Sequence, residues 1–423
     1  MASRPQTAQP AAAAPGSSKL PPAVYVLGLT SLLNDAASDM IYPLLPLFLT
    51  TSAGAGAAAL GMIEGAAEAM AALLKIVSGH LSDRTRRRKP FVVVGYAVAS
   101  IARPFLALAS SASGVLAIRL IDRFGKGVRS SPRDALRADV VDPVARGRAF
   151  GLHEAMDHLG AVIGPLLAAG LLALGAGLPA VFLLSAVPAA AACLVVVLLV
   201  REPARPTSQA TEAAVASAPA AETQPRPPEA AGHAHLPRGS RRPFGGYLVA
   251  VTVFSMAGSA DAFLVLRAYE VGFSAAALPI LWALHNGIKA LTGTHGGILA
   301  DRFGRRRSLA AGWVVYAGVY AGFAWASSQM AILALFVVYG LHRALVAGAQ
   351  KALVADLVPP ASRARGYGIY YTCVGLTLLP ASAVFGLLYQ KAGPEVAFGL
   401  GATLALIAVT LLPLSRSPAS THR

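Results

Sequence analysis

Acidic side chains occur inside long apolar stretches of this sequence, at spacings that bring them together on helix faces. Asp35 and Asp39 are four residues apart, as are Glu64 and Glu68, so each pair shares one face of a helix that turns about 100° per residue. A carboxylate that is partly withdrawn from water can bind and release protons near neutral pH. We therefore predict that these four residues are proton-coupling groups, with Asp35 and Glu68 as the leading candidates.

Basic, histidine and further polar side chains share these apolar stretches. Each ionised side chain within a membrane costs at least about 2.5–3.5 kcal/mol, so they are expected to line a watered cavity, where Arg123 or Lys289 supplies the charge that displaces a proton. The alternative is that some of the carboxylates form static pairs with Arg and Lys. The predicted cavity and substrate residues are Asn34, Arg119, Asp122, Arg123, His153, Asp157, Asp261, His285, Lys289, His342 and Arg343.

Two local patterns suggest other chemistry but lack the spacing it needs. His153 and His158 are five residues apart, whereas the zinc-protease pattern places two histidines four apart on one helix face. Gly125-Lys126-Gly127 lacks the Gly and the Ser or Thr of a nucleotide-binding loop. We therefore predict no metal site, no cofactor and no enzymatic activity, and we expect an ion or solute gradient to be the driving force.

The elements that position these residues are membrane-spanning helices. Hydrophobic residues make up 55% of the chain and charged residues only 13%, whereas soluble domains carry roughly 25% charged residues. Because about 20 apolar residues cross a bilayer as a helix, the sequence predicts an all-α membrane protein with twelve transmembrane helices. Their expected positions are 23–49, 57–82, 91–110, 114–138, 148–174, 178–200, 244–270, 274–300, 308–327, 330–354, 366–390 and 394–415.

Three segments lack the large apolar residues that a folded core requires. Residues 1–20 are rich in Ala, Pro, Gln and Ser and show no secretory signal pattern. Residues 201–243 are rich in Ala, Pro, Thr, Gln and Glu. We predict disordered cytoplasmic segments at 1–20 and 201–243 and a cytoplasmic tail at 416–423, which leaves six-helix bundles at 21–200 and 244–415.

The net charge of +16 comes from short basic clusters between the apolar stretches. The connections after predicted helices 2, 4, 6, 8 and 10 hold nearly all the loop Arg and Lys, as at 84–89 and 302–307. Cytoplasmic loops of membrane proteins carry such an excess, so both termini are expected in the cytoplasm and the protein in the bacterial plasma membrane. No nucleic-acid-binding motif accompanies the basic residues, and no nucleic-acid partner is expected.

The two halves repeat two loop motifs in equivalent places. The sequence GHLSDR at 79–84 returns as GILADR at 297–302, after the second helix of each half. The stretch from 135 to 151 returns from 352 to 368, with Asp139 and Asp356 at matching positions. Two matches at nearly constant offset indicate that the halves arose by duplication.

These motifs resemble the major facilitator superfamily, whose loop G-x-L-x-D-R-x-G-R-R/K is matched fully by the second copy and is altered in the first at Arg86. The phrases at 38–49 and 123–136 are similar to a little-characterised prokaryotic branch. The resemblance implies two six-helix bundles, related by pseudo-twofold symmetry around a central cavity, that alternate between inward- and outward-facing states. The superfamily is a general example of transporters built from repeats.

The resemblance also assigns a role to the loop motifs: ion pairs that latch the cytoplasmic side in one state and break in the other. The alternative is that their charges only set topology. The implied latch residues are Gly79, Asp83, Arg84, Asp139, Gly297, Asp301, Arg302 and Asp356.

The fifth predicted helix carries a small-residue motif. Gly160, Gly164 and Pro165 resemble the G-x-x-x-G-P-x-x-G-G element of antiporters, with Ala168 and Ala169 in place of its last two glycines. The glycines share a helix face that permits close approach, and the proline bends the helix. The resemblance implies antiport, and the alternative is ordinary helix packing.

The sequence thus predicts a monomeric secondary transporter in the lipid bilayer that exports amphiphilic or zwitterionic drugs or metabolites by proton antiport. A proton symporter is the alternative within transport. A transporter-like receptor would bind its ligand without accumulating it. An intramembrane hydrolase would need a nucleophile with a base, or a metal set, and neither stands at suitable spacing.

Overall fold

The computed structural model describes residues 20–85, 87–141, 146–200, 238–359 and 363–415, and within these ranges the chain is helical without any β-strand. The helices form twelve rods, which we number span 1 to span 12 in chain order. The predicted all-α fold with twelve helices is thereby confirmed. The predicted tails and most of the predicted linker, at 1–19, 201–237 and 416–423, lie outside the described residues.

The first half of the chain contains spans 1 to 6. Spans 1, 3 and 6 are each interrupted by a short 3-10 turn or a break, whereas spans 2, 4 and 5 are continuous. Their bounds are Pro22–Ile41 with the 3-10 turn Tyr42–Leu44 and Leu45–Thr51 (span 1), Ala57–Thr85 (span 2), Lys89–Ala102 with the 3-10 segment Arg103–Leu108 (span 3), Ala112–Asp139 (span 4), Arg146–Ala173 (span 5), and Leu178–Leu184 with Ala186–Leu199 (span 6).

The second half contains spans 7 to 12. Spans 11 and 12 belong to one helical stretch, Arg363–Leu411, which is interrupted at Gly393, whose φ of 88° is a left-handed conformation that suits glycine. The other bounds are Arg238–Ala257 with Ala262–Glu270 (span 7), Ala277–Phe303 (span 8), Arg305–Trp325 (span 9) and Gln329–Leu357 (span 10), and the 3-10 segment Leu412–Ser415 follows span 12.

Seven helical stretches in the described part of the chain are long and apolar enough to cross a membrane by themselves. One of them, Gly366–Ser415, contains both span 11 and span 12. Span 4 is not among the seven, because its helix carries many of the charged residues discussed below. Charges inside a span lower its hydropathy, and they are tolerated where the helix is surrounded by protein.

The start of span 7 differs from the prediction. Its helix begins at Arg238, six residues before the expected start at 244, so residues 238–243 belong to the helix and not to the linker. These six residues include three arginines and a proline. An apolar-run criterion detects only the part of a helix that lies in hydrocarbon, which explains the difference.

Prolines account for the breaks in spans 1 and 3. Pro43 lies in the 3-10 turn of span 1 and Pro104 in the 3-10 segment of span 3. A proline lacks the N–H that would continue the helical hydrogen bonds. The short helix after the first break, Leu45–Thr51, packs against Ala262–Glu270 of span 7. The bend therefore brings the two halves together.

The halves meet along two pairs of spans. Span 2 packs against span 11, and span 5 packs against span 8. The first contact is close enough that a Cβ added to Gly61 would overlap the carbonyl oxygen of Ser382. At Gly65 the added Cβ would lie 3.0 Å from the backbone of Leu379. Small residues allow such backbone contact between membrane helices.

The buried apolar residues distinguish the two ends of the bundle. We call the end with the basic connections after spans 2, 4, 8 and 10 the basic end, and the other the opposite end. At the opposite end one core cluster contains residues of both halves, for example Phe48, Leu60, Phe263 and Phe385. At the basic end the described core residues form separate clusters within each half. The halves are thus joined at the opposite end.

Candidate functional site

The first half contains a buried network of ion pairs, and its best-formed member joins spans 2 and 4. Arg119 donates from Nη2 and Nε to Glu64 Oε1, at 2.6 and 2.9 Å. The side chains of Arg119 and Glu64 are 4% and 2% exposed. Charged hydrogen bonds of this kind are among the strongest in proteins. Glu64, predicted as a proton-coupling group, is therefore held by an arginine.

Asp122 of span 4 is the centre of the network. Its carboxylate lies 2.9 Å from Arg103 Nε, 3.1 Å from Arg123 Nη1 and 3.6 Å from Arg119 Nη1. Arg103 also donates to the carbonyl oxygen of Asn34 on span 1, at 3.1 Å. All four charged side chains of this group are less than 9% exposed. These buried ion pairs and hydrogen bonds connect spans 1, 3 and 4.

Glu68 extends the network towards a less buried region. Its Oε1 lies 3.0 Å from Arg123 Nε and 3.1 Å from Lys126 Nζ, and its side chain is 35% exposed. The network as a whole contains three carboxylates and four cations. The structure thus places Arg119, Asp122 and Arg123, which were predicted to line the cavity, in compensated pairs, as the static-pair alternative expects.

Arg103 was missed by the sequence analysis, although a signal was present. It is the one charged residue in the apolar stretch predicted as the third helix, 91–110, and a lone charge inside a membrane helix is expected to have a specific partner. Its partners on spans 1 and 4 come from the tertiary arrangement of the helices. The sequence therefore indicates that Arg103 is paired but does not identify its partner.

The two carboxylates of span 1 have a different environment. Asp35 Oδ1 accepts a hydrogen bond from Asn34 Nδ2 at 2.9 Å, and Asp39 Oδ1 accepts one from the indole Nε1 of Trp282 at 2.8 Å. No arginine or lysine of the described chain forms an ion pair with either carboxylate. Trp282 belongs to span 8, so the Asp39 hydrogen bond connects the two halves.

Span 5 adds a histidine and a carboxylate beside span 1. His153 Nε2 lies 3.5 Å from Asp157 Oδ1, and both ring nitrogens of His153 are buried without a hydrogen-bond partner. Asp157 lies within electrostatic range of Asp35. Among the described residues no group of three His, Cys, Asp or Glu side chains has an arrangement that could hold a metal ion.

In the second half, aromatic rings surround the predicted polar residues. Asp261 Oδ1 accepts a hydrogen bond from Tyr339 Oη at 2.7 Å, and His342 Nδ1 lies 2.7 Å from the carbonyl oxygen of Gly312. The ring of Tyr339 stacks on His285 at a centroid distance of 5.0 Å. These residues form a layer of rings between spans 7, 8, 9 and 10.

Lys289 and Arg343 are the two cations of this region. Lys289 Nζ donates to Asn286 Oδ1 at 2.8 Å, and Arg343 is exposed. The two lie within electrostatic range of each other, and Lys289 also of Asp35 and Asp39. The structure therefore brings the predicted residues of spans 1, 5, 8 and 10 together where the halves face each other.

The loop motifs form ion pairs at the basic end. Arg88 lies 3.2 Å from Asp83 and 3.0 Å from Asp139, and Arg305 pairs with Asp356. Arg302 lies over the Phe303 ring, 5.9 Å from its centroid. Gly297 and Asp301 belong to the helix of span 8, and their side-chain environment lies outside what the structure describes. The Arg88–Asp139 pair joins the end of span 4 to the residue before span 3, and the Arg305–Asp356 pair joins the end of span 10 to the start of span 9.

The small-residue motif of span 5 packs against span 1. A Cβ added to Gly160 would overlap the carbonyl oxygen of Leu32, and one added to Gly164 would overlap that of Ala36. Pro165 stands inside the helix at the next position. This contact fixes the separation of the two helices that carry Asp35, Asp39 and Asp157.

Comparisons with known proteins agree on one family. The sequence profile of the Major Facilitator Superfamily matches residues 27–288 and 244–423. The uncharacterized MFS-type transporter MJ1317 of Methanocaldococcus jannaschii is 35% identical over 396 residues, which cover 92% of this chain and 94% of the relative. The tetracenomycin C resistance and export protein of Streptomyces glaucescens is 29% identical over 205 residues, 45% of this chain and 38% of the relative.

The fold matches solved transporter structures. A bacterial homolog of the human lysosomal transporter Spinster, crystallised in an inward-facing and unoccupied conformation, aligns with a TM-score of 0.67 at 20% sequence identity. The alignment covers 93% of this chain and 94% of the other. At this identity the match establishes the shared fold of twelve helices.

Proposed function

Because this chain belongs to the major facilitator superfamily, and is therefore a multi-pass membrane transporter, we propose that it exports amphiphilic small molecules across the plasma membrane in exchange for protons. It acts as a monomer with both termini in the cytoplasm. The observation that carries the proposal is the environment of the span 1 carboxylates: no Arg or Lys among the described residues is paired with Asp35 or Asp39, and Asp39 connects the halves through Trp282.

Ion pairing separates these carboxylates from the others. A carboxylate between two cations, as Glu68 is between Arg123 and Lys126, stays ionised because the neighbouring charges favour the charged form. Asp35 and Asp39 have no such partner among the described residues, and Asp39 bonds to Trp282 of the other half. Proton coupling is therefore assigned to span 1, and Glu64 and Glu68 are assigned a structural role.

The separate core clusters at the basic end support alternating access. Cytoplasmic loops are rich in Lys and Arg, so the basic end is assigned to the cytoplasm and the structure to an inward-facing state. The described core residues join the halves only at the opposite end. The Asp83–Arg88–Asp139 and Arg305–Asp356 pairs are placed to hold each half rigid while the cytoplasmic side opens.

Two observations favour export over import. The matched region of a relative belongs to a protein whose name specifies resistance and export. The Gly160, Gly164 and Pro165 element, which resembles the antiporter motif, packs directly on the span that carries the proposed proton carriers. A proton symporter uses the same groups with the opposite sign of coupling. A transporter-like receptor would bind ligand without moving protons.

The test uses inverted membrane vesicles with a respiration-generated pH gradient and a pH-sensitive dye. Drugs, organic acids and chelators are added to vesicles with the wild-type chain, Asp35→Asn or Asp39→Asn. Glu395→Gln, which replaces an exposed carboxylate near the start of span 12, is the matched control. We expect substrate-dependent loss of the gradient in the wild type and control. In both span 1 variants we expect the rate of this loss to be at least about a hundredfold lower, the lower end of a typical proton-transfer contribution.

Several outcomes would contradict the proposal. A substrate that increases the gradient would indicate symport. Full coupling in both span 1 variants would remove the assignment to Asp35 and Asp39. A compound that binds but moves no protons would favour uniport, another coupling ion or the receptor.

A further inference from the structure

Lys289 and Arg343 are cations inside spans 8 and 10 that have no ion-pair partner in the described chain. The hydrogen bond from Lys289 Nζ goes to the neutral side chain of Asn286. No hydrogen bond or ion pair joins Arg343 to a described side chain. This contrasts with the first half, where each of Arg103, Arg119 and Arg123 lies against a carboxylate. Unpaired charges at membrane depth are expected to serve a ligand or a watered path.

The nearby carboxylates are engaged elsewhere. Asp39 accepts from Trp282, and Asp261 accepts from Tyr339. Both lie within electrostatic range of Lys289 but not at ion-pair distance. Arg343 is in turn within electrostatic range of Lys289 and of His158 on span 5, so its exposed side chain lies near charged residues of both halves.

Aromatic rings border the cations. Trp282, about two turns before Lys289 on span 8, packs on the ring of Tyr42 of span 1 at a centroid distance of 5.0 Å and on that of His285 at 5.3 Å. His285 is 1% exposed, and its Nδ1 has no hydrogen-bond partner. A ligand with a planar apolar group next to an anionic group would contact the rings with the first and the cations with the second. Aromatic side chains offer large, rigid contact surfaces for such a planar group.

Asn286 fixes the direction of Lys289. It is 2% exposed, and its Nδ2 donates to the carbonyl oxygen of Trp282 at 3.1 Å, which leaves Oδ1 to accept from Lys289. A cation held by a neutral amide keeps its full charge for a further partner. Lysine and arginine in this arrangement are the groups that recognise carboxylate and phosphate oxygens.

We propose that Lys289 and Arg343 form an anion subsite that receives the negatively charged group of an aromatic or amphiphilic substrate, with Trp282 and Tyr42 against its apolar part. The inference rests on the proposed transport function for the path that leads to the site, but binding itself requires no proton movement. It assigns the negative end of a substrate to the second half, opposite the carboxylates of span 1.

The test compares ligands that share one ring system and differ in charge. Indole-3-acetate carries a carboxylate, and tryptamine carries an ammonium group. Equilibrium dialysis of each radiolabelled ligand against the full-length protein in detergent gives the dissociation constants. We expect the wild type to bind indole-3-acetate about tenfold more tightly than tryptamine, the size of one charge-assisted hydrogen bond.

Single substitutions test which residues cause the preference for the anionic ligand. Lys289→Gln and Arg343→Gln are each expected to weaken indole-3-acetate binding about tenfold, with tryptamine binding unchanged or improved. Lys289→Arg keeps the charge and is expected to retain most of the preference for the anion. Lys391→Gln removes an exposed cation between spans 11 and 12 and is the matched control. Neither glutamine variant leaves a paired carboxylate behind, so both are expected to fold.

A wild type without preference for indole-3-acetate over tryptamine would overturn the subsite, as would a preference that survives in both glutamine variants. The result is separate from that of the vesicle test. Anion binding that depends on Lys289 and Arg343, in a protein that moves no protons, would keep the subsite and refute the coupling. Proton coupling without any anion preference would keep the coupling and refute the subsite.

Discussion

At the scale of single residues, two kinds of charge lie within the spans. Glu64, Glu68 and Asp122 are matched by arginine and lysine inside the first half. Asp35 and Asp39 lie within electrostatic range of Lys289 in the other half, without an ion pair to it. The matched charges are expected to stabilise one half as a rigid body, and the unmatched ones are expected to change partners when the halves move.

The role assigned to Glu64 predicts a loss of stability. Glu64→Gln leaves Arg119 with Asp122 as its one remaining carboxylate, at 3.6 Å, and removing one partner of a buried pair costs about 3–5 kcal/mol. We expect a loss of this size in denaturant unfolding of the protein in mixed micelles.

Two further variants identify the cause of that loss. The double variant Glu64→Gln with Arg119→Gln removes both charges and is expected to recover part of the stability, because no unpaired charge remains. Glu154→Gln, whose parent side chain is 76% exposed, is expected to stay within about 0.5 kcal/mol of the wild type. If the double variant loses more free energy of unfolding than Glu64→Gln and Arg119→Gln lose together as single variants, the static assignment of the pair is wrong.

Sequence reasoning at this scale predicted the polar faces but not the partners. The i to i+4 spacing places Glu64 and Glu68 on one face of span 2, and span 4 lies against that face. Which helix faces another is a tertiary property that spacing along one helix does not contain. For the same reason the partners of Arg103 were not predicted, and neither was the bond between Trp282 and Asp39, of which the sequence around Trp282 gives no sign.

At the scale of elements, glycines determine how closely pairs of helices approach each other. Gly61 and Gly65 bring span 2 onto span 11, and Gly160 and Gly164 bring span 5 onto span 1. The first contact crosses between the halves, so it has to form and separate if the opposite end opens. The second lies within one half and is expected to persist in both states.

The span 2 contact predicts the effect of a single methyl group. Gly61→Ala would place a Cβ on the Ser382 carbonyl oxygen, so span 11 is displaced and the opposite end cannot close. We expect the transport rate in the vesicle assay to fall between about tenfold and a hundredfold, since a displacement of about 1 Å can lower a rate by up to about a hundredfold.

Gly170→Ala is the matched control for that variant. Gly170 is also in a helix, span 5, and an added Cβ there has no atom within 4 Å. Alanine in such a position is expected to stabilise the helix by about 0.5–1 kcal/mol. Equal transport by Gly61→Ala and Gly170→Ala would show that the Gly61 contact is not part of the transport cycle.

The sequence predicted the elements better than their interruptions. Apolar runs located all twelve spans, because each must match the thickness of the hydrocarbon core. The break at Tyr42–Leu44 coincides with Pro43, but a proline in a membrane helix need not break it. The polar start of span 7 at Arg238 lay beyond the apolar signal and was assigned to the linker.

At the scale of the whole molecule, the repeat and the basic loops predicted two similar halves, and the profile match confirms the family. The asymmetry between the ends of the bundle was not predictable, since a sequence does not specify which of its alternating states is observed. In this state Asp39 and Trp282 join the halves by a side-chain hydrogen bond beside the shared apolar core. We therefore expect protonation of span 1 to be linked to closure of the opposite end.

The most direct test of that link measures closure of the opposite end as a function of pH. An added Cβ at Gly56 would lie 2.6 Å from Gln390 Oε1 on span 11. Gly56→Cys with Gln390→Cys, in a chain whose Cys193 and Cys373 are replaced by alanine, therefore reports closure through the yield of a short thiol cross-linker in proteoliposomes.

Cross-linking is expected to fall as the pH is lowered, because a protonated Asp39 loses the charge-assisted bond to Trp282 and its attraction to Lys289. In Asp39→Asn the yield is expected to be low and independent of pH. A yield that does not change with pH in the parent chain, or that changes equally in Asp39→Asn, would contradict the coupling of span 1 protonation to the movement of the halves.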